Sequence, residues 1–276
     1  MSRETQRPPA AAPRPPAAVW DPEQYGAFGG ERGRPFFELV ARTGLERPGY
    51  VVDLGCGSGE LTASLAARWP DAEIDGYDSS LEMVQAARAH EIPGRLRFGV
   101  WEVEDWRPER PVDLIVANAV LHWVPGHVDL FPRWLDALAD GGVLAFQVPG
   151  NFDAPSHTLL RELCESPRWR GRLGGVVRPD PVLEPAGYLD VLTRLGCRVD
   201  AWETTYAQVL QGDDPVLEWV KGTALRPVLT ALSPSDAREF TGVYRERLRE
   251  AYPRTSYGTV FPFRRVFVVA TKRSDP

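Results

Sequence analysis

Val51-Val52-Asp53-Leu54-Gly55-Cys56-Gly57-Ser58-Gly59 is the stretch on which the fold turns. Tyr50–Leu54 reads as a short apolar strand, and it hands over at once to three alternating glycines. Glycine lets a backbone turn tightly and approach a ligand with no Cβ in the way. After the turn, Glu60–Trp69 carries Leu61, Leu65 and Trp69 at helical spacing. Strand, glycine turn and helix in that order make the first half of a βαβ unit. The spacing is GxGxG, unlike the GxGxxG of dinucleotide binders. Gly57-Ser58-Gly59-Glu60 also lacks the GK[ST] ending of a phosphate-binding loop.

The alternation continues on the carboxyl side. Ala72–Tyr77, Leu96–Trp101, Val112–Ala117 and Val143–Val148 read as strands. Between them, Ser79 or Ser80 can cap a helix over Leu81–His90, whose Met83, Val84 and Ala87 form an apolar face. A further helix is predicted over His127–Ala139, stopped by Gly141-Gly142. Strands separated by helices imply a parallel sheet with right-handed crossovers. Beyond it, Pro185–Leu195, Asp214–Arg226 and Pro234–Tyr252 read as helices, and Arg198–Leu210 and Val266–Thr271 as strands that close the sheet as a hairpin-like antiparallel edge. On the amino side, Arg34-Pro35 is expected to open a short helix through Arg42, with proline in its first turn. Residues 1–18, rich in Pro, Ala and Arg, read as a disordered tail. Residues 19–276 then form one domain, in which 19–42 is a lid and 151–195 and 211–262 are cap insertions.

Composition bounds the function. The chain has 276 residues, 43% hydrophobic and 25% charged, with a net charge of −6. That suits a folded domain and argues against nucleic acid as partner. No apolar run is long enough to span a membrane, and there is no secretory leader pattern. Cys56, Cys164 and Cys197 are odd in number and lack CxxC spacing, and the four histidines show no HExxH pattern. A reducing cytoplasm and no metal site are therefore expected, for a monomer or weak dimer. Lysine occurs only at Lys221 and Lys272, so thirty of the 32 basic residues are arginine. Codon usage accounts for most of these. Some, however, can recognise carboxylates, because the planar guanidinium binds both oxygens at once.

Polar residues fall where the carboxyl ends of parallel strands meet, the place where open α/β sheets bind ligands. Asp78 ends the second strand, 23 residues after Gly55, Glu102 follows the third, and Asn118 follows the fourth. At these residues the chain resembles the class I S-adenosylmethionine-dependent methyltransferases, through Asp53-Leu54-Gly55-Cys56-Gly57-Ser58-Gly59, Asp78 and Asn118-Ala119-Val120-Leu121-His122-Trp123. The resemblance implies an α/β, Rossmann-like fold: a seven-stranded, mostly parallel sheet with an antiparallel last strand and a helical substrate cap. S-adenosyl-L-methionine would be the cofactor. Gly55, Cys56 and Gly57 would hold its amino-acid portion and Asp78 its ribose, with Asp53 also among the cofactor-binding residues. Ser79 and Met83 would lie beside the ribose and adenine, Glu102 and Val103 beside adenine, and Asn118 at the end of the site.

The resemblance extends to the trans-aconitate 2-methyltransferases. Trp20-Asp21-Pro22, Tyr25, Phe28, Glu31-Arg32-Gly33-Arg34-Pro35 and Leu39 are similar to that family's start. Trp202-Glu203-Thr204-Thr205-Tyr206, Trp219-Val220, Leu225-Arg226-Pro227 and Phe263–Ala270 are similar to its later motifs. Arg264 stands where a proline is common, and the leader and Gly171–Pro181 depart from the pattern. The implied acceptor is a small anionic carboxylate, and a carboxylate with a pKa of ~4.3 is already ionised at neutral pH. No general base or catalytic side chain is then required, and rate comes from orientation and exclusion of water. Carboxylates leaving water need partners. Arg34, Arg226 and Arg265, with Arg178 fourth, are expected to clamp the spectator carboxylates. Tyr206 or the Trp123 N–H would serve the reacting one, since an arginine there would lower its nucleophilicity. His122 lies in the same turn and is read as a packing or hydrogen-bonding member of the substrate site. Methylation of another small acid, a nicotinamide oxidoreductase and a non-catalytic cofactor-binding protein stand as alternatives.

Overall fold

The computed structural model describes residues 29–177 and 182–273. The expected tail over 1–18, the first part of the expected lid, and Arg178 lie outside the described residues. In chain order the elements are α1 (Gly29–Arg42), β1 (Tyr50–Leu54), α2 (Glu60–Arg68), β2 (Glu73–Asp78), α3 (Leu81–Ala87), β3 (Leu96–Val100), β4 (Val112–Asn118), α4 (Phe131–Ala137) and β5 (Leu138–Pro149). There follow α5 (Pro155–Cys164), α6 (Arg170–Leu173), α7 (Pro185–Arg194), β6 (Cys197–Leu210), α8 (Pro215–Lys221), α9 (Arg226–Thr230), α10 (Pro234–Ala251), β7 (Arg254–Thr255) and β8 (Gly258–Lys272).

β1 is buried at every position because it lies inside a sheet covered on both faces. The sheet runs β3-β2-β1-β4-β5-β8-β6, with the two-residue β7 paired only to β8. The pairs from β3 to β5 are parallel, and β8 enters antiparallel between β5 and β6. This is the seven-stranded, mostly parallel Rossmann-like arrangement with its last strand reversed. Strand alternation sends side chains to two cores. On one face Phe36, Leu39 and Val40 of α1, Leu65 and Ala66 of α2, and Val84 and Ala87 of α3 cover Val51, Val116, Ala145 and Phe267. On the other, Phe131 and Trp134 of α4 and Tyr188 and Leu192 of α7 cover Ile115, Phe146 and Val268. A third core joins α5, α6, α8, α9 and α10 to Leu210, Phe261 and Phe263 at the far ends of β6 and β8. That core is a cap standing on the two long strands.

Several local expectations are corrected. α1 begins at Gly29, so Pro35 lies inside the helix and not in its first turn. The lost backbone donor is offset by full burial of Phe36 and Leu39 against the sheet. His127–Leu130 is a 3₁₀ turn, and the helix after it ends at Ala137, because Leu138 already pairs with Val112. Gly141-Gly142 therefore sit within β5, where the register against β4 shifts. Leu81–His90 is α-helical only to Ala87. The helix expected over Asp214–Arg226 divides, since α8 closes at Gly222 and Pro227 restarts the chain in α9. The last strand runs from Gly258, not Val266, and is paired along its length to β6. It lies inside the sheet, so β6 alone forms the edge on that side, opposite β3.

Candidate active site

The glycine loop is held by β2. Gly55 N and Cys56 N both donate to Tyr77 O, at 2.7 and 3.0 Å. Gly57 N donates to Asp78 Oδ2 at 2.9 Å, and Ser80 N donates to Asp78 Oδ1 at 2.9 Å. Ser80 caps α3 by accepting from Met83 N at 3.2 Å. One carboxylate thus ties the loop after β1 to the start of α3. Burial raises the Asp78 pKa, and the N–H groups of Ser80, Gly57 and Ser79 pull it back down. Two glycines do different work at positive φ. A Cβ on Gly55 (φ 80) would lie 2.6 Å from Val120, whereas Gly57 (φ 55) has nothing within 4 Å of that position. Gly55 lets the 118–120 turn pack on the loop; Gly57 faces open space.

Asp53 lies beneath this loop, buried, and accepts from Thr62 Oγ1 at 2.6 Å through Oδ2, while its Oδ1 is buried with no hydrogen-bond partner. Desolvation pushes its carboxyl up to about 7. Cys56 is buried, and its thiol pKa is raised by desolvation, so it packs as a small apolar group and stays protonated. Met83 and Val103 are buried, and Ser79 and Glu102 are exposed at the ends of β2 and β3.

A polar row crosses the carboxyl ends of β4 and β5 and the inner parts of β8 and β6, on the face covered by α1. Asn118 of β4 lies opposite Gln147 of β5 and accepts from Gln147 Nε2 at 2.6 Å through Oδ1. Gln147 Oε1 in turn accepts from Arg265 NH1 at 3.2 Å. Arg265 is buried on β8, stacked 4.4 Å from the Phe263 ring centroid. On β6, the Tyr206 hydroxyl donates to Glu38 Oε2 at 2.7 Å, and Arg34 Nε donates to Glu38 Oε1 at 2.9 Å. The Arg34 guanidinium lies 4.8 Å from the Tyr206 ring centroid. Burial and Glu38 raise the Tyr206 pKa, and the charges of Arg34 and Arg265 oppose them.

The structure therefore brings Arg34, Arg265, Tyr206 and Asn118 to one face of the sheet. Tyr206, expected to serve the reacting carboxylate, instead donates to Glu38. Arg226 stands half-buried at the start of α9, among cap residues. His122 and Trp123 form a turn after β4, their rings 4.7 Å apart, and the His122 ring lies 6.4 Å from Phe152 of the loop after β5. Sequence reasoning missed Glu38, Gln147 and Asn151. Gln147 had a signal, being the one polar residue in Val143-Leu144-Ala145-Phe146-Gln147-Val148. Asn151 is buried with neither side-chain atom hydrogen-bonded. Ala119 had no signal; its φ of 55 is a strained conformation of the kind found where chains turn at binding sites. Arg264, the departure from the family pattern, donates to Gly150 O and to Glu184 and Glu203, joining β8 to the loop after β5, to the residue before α7 and to β6.

Residues 28–180 match the family model described as a methyltransferase domain. A trans-aconitate 2-methyltransferase of Streptomyces avermitilis is 56% identical over 268 residues, covering 94% of this chain and 100% of the relative. The chain belongs to the trans-aconitate 2-methyltransferase family. A second member, from Rhodococcus jostii, is 52% identical over 91% of this chain and 99% of its own. The YcgJ protein of Bacillus subtilis shares the fold at a TM-score of 0.56 and 13% identity, over 88% of this chain and 99% of that one.

As a member of this family the chain is a methyltransferase, and S-adenosylmethionine is its methyl donor. The residues present fit that molecule. Gly57 opens a space that a side chain would fill, Asp53 holds an unused acceptor oxygen, and Asp78 is fixed by backbone donors beside both. The described residues contain no helix long and apolar enough to cross a membrane.

Proposed function

We propose that the protein methylates one carboxylate of trans-aconitate to a monomethyl ester, leaving S-adenosylhomocysteine. The observation that carries this reading is similarity over more than nine-tenths of both chains to relatives bearing that name. It includes the cap and the terminal strands as well as the cofactor loop. We place the reaction in the cytoplasm, in a monomer or weak dimer.

The cofactor supplies a methyl group on a sulfonium, ready for displacement by an oxygen anion. The chain binds and orients. Asp78 serves the ribose hydroxyls and Asp53 the ammonium end, with Gly55, Cys56 and Gly57 along the amino-acid portion. Ser79, Met83, Glu102 and Val103 border the ribose and adenine. The acceptor carboxylate is ionised at neutral pH, so no side chain has to remove a proton from it. Arg265 and Arg34, both near Tyr206, suit the two spectator carboxylates, with Arg226 of the cap assigned to the same task. Arg34 must exchange Glu38 for the substrate, which the exposure of this pair allows. His122 and Trp123 line the far side. Holding the oxygen in line with the methyl group can supply roughly 7–11 kcal/mol.

The test is turnover with S-adenosylmethionine and trans-aconitate, cis-aconitate or isopropylmalate, followed by mass spectrometry of the ester. Turnover strongest on trans-aconitate is expected. Good turnover of another acid with none of trans-aconitate assigns the chain a different acceptor.

A further inference from the structure

Arg265, Gln147 and Asn118 form a row whose hydrogen-bond direction is set from one end. A guanidinium only donates, so Gln147 must turn Oε1 toward Arg265. The opposite side of that amide is then Nε2, which only donates, and Asn118 must meet it with Oδ1. Both contacts are present, at 3.2 and 2.6 Å, and Gln147 is completely buried. Reversing Gln147 would place donor against donor where water cannot relieve it, and reversing Asn118 would do so at a partly buried contact. The Asn118 NH₂ is consequently directed away from Gln147. Asn118 is the last residue of β4, and the next residues pack on the glycine loop, with Val120 against Gly55. Asn118 therefore lies beside the loop read as the cofactor site, with Gln147 between it and Arg265.

We propose that Gln147 is a positioning residue which, set by Arg265, fixes the Asn118 amide with its NH₂ toward the acceptor, where it holds the reacting carboxylate. The proposal rests on the carboxylate-methylation reading above. It assigns Asn118 to the acceptor, where sequence reasoning put it with the cofactor. A neutral N–H orients an attacking oxygen while withdrawing less of its electron density than a guanidinium would. Tyr206, engaged by Glu38, does not fill that role in this arrangement.

The experiment is calorimetric titration of trans-aconitate into the full-length protein saturated with S-adenosylhomocysteine, for wild type, Gln147→Glu and Asn118→Asp. With Gln147→Glu the new carboxylate still accepts from Arg265 but cannot donate. Asn118 then turns its NH₂ inward and presents oxygen to the acceptor. Asn118→Asp keeps the bond from Gln147 and replaces the NH₂ by an oxygen. Both variants are expected to bind trans-aconitate about tenfold or more weakly, with S-adenosylhomocysteine affinity held within about twofold. Wild-type acceptor affinity in a folded Gln147→Glu overturns the proposal, as does equal loss of both ligands. If Gln147→Glu does not fold, Asn118→Asp decides alone, and unchanged acceptor binding there overturns it. Failure of the carboxylate reading is seen separately, as a wild-type protein that neither binds nor methylates trans-aconitate.

Discussion

At the residue scale the glycine loop divides its labour, and alanine substitution separates the parts. Gly57→Ala meets open space and pays only the left-handed backbone, about 1–2 kcal/mol. Its expected effect is weak S-adenosylhomocysteine binding in a folded protein. Gly55→Ala pays the same strain and also strikes Val120, adding roughly 1–3 kcal/mol of overpacking. Denaturant unfolding of both variants checks this, with Gly55→Ala the less stable. Asp53 gives a pH dependence. Its carboxyl rises from 3.8 to about 7, mainly by desolvation, with Thr62 lowering it and Asp78 adding to the rise. The native state thus holds a proton that the unfolded chain releases above about 4. Its contribution to stability is full below that pH and is lost as pH rises toward 7. Wild type should lose stability from pH 5 to 8 relative to Asp53→Asn, measured by urea unfolding at each pH. Parallel curves would refute it. The glycine pattern and Asp78 were readable from sequence because their partners lie within a few tens of residues. Glu38 was not, since the Tyr206 that engages it is 168 residues away.

At the element scale, hydrophobic patterning located the parallel strands β1 to β5. Of these, β1, β4 and the second half of β5 are buried on both faces and read as apolar runs, whereas β3, at the sheet's edge, alternates buried Leu96 and Phe98 with exposed Arg97. The same patterning shortened β8. The first half of that strand, Gly258–Arg265, holds Pro262, Arg264 and Arg265, and pairing with β6, not composition, makes it extended. It also joined α8 to α9, since both are apolar on one side and only the positive φ of Asp214 and the proline at 227 set their starts. Helix caps carry measurable energy. Ser80→Ala removes the acceptor for Met83 N and is expected to cost about 1 kcal/mol in thermal unfolding. Cofactor affinity should change little, because the Ser80 backbone N–H still holds Asp78.

At the scale of the whole molecule, three cores share two long strands. Arg264 braces these strands, bonding β8 to the loop after β5, to Glu184 ahead of α7 and to Glu203 of β6. Its glutamate partners are largely exposed, so solvent screening limits the gain. Arg264→Ala is expected to lower stability by about 1 kcal/mol, with S-adenosylhomocysteine affinity unchanged, as read by thermal unfolding with and without that ligand. An unchanged midpoint would show that the tie carries no energy.

The amino-acid sequence by itself determined the αβα arrangement, the glycine loop, the carboxylate at the end of β2 and the family. Each is written in local spacing: strand, turn, helix, and a polar residue at a strand end. Only the tertiary structure decided which arginines meet. Arg34 reaches Tyr206 because α1 packs across β6, and Arg265 reaches Asn118 through Gln147 because β8 inserts beside β5. Among thirty arginines, side-chain chemistry is identical. Register between strands over a hundred residues apart selects the few that face one another.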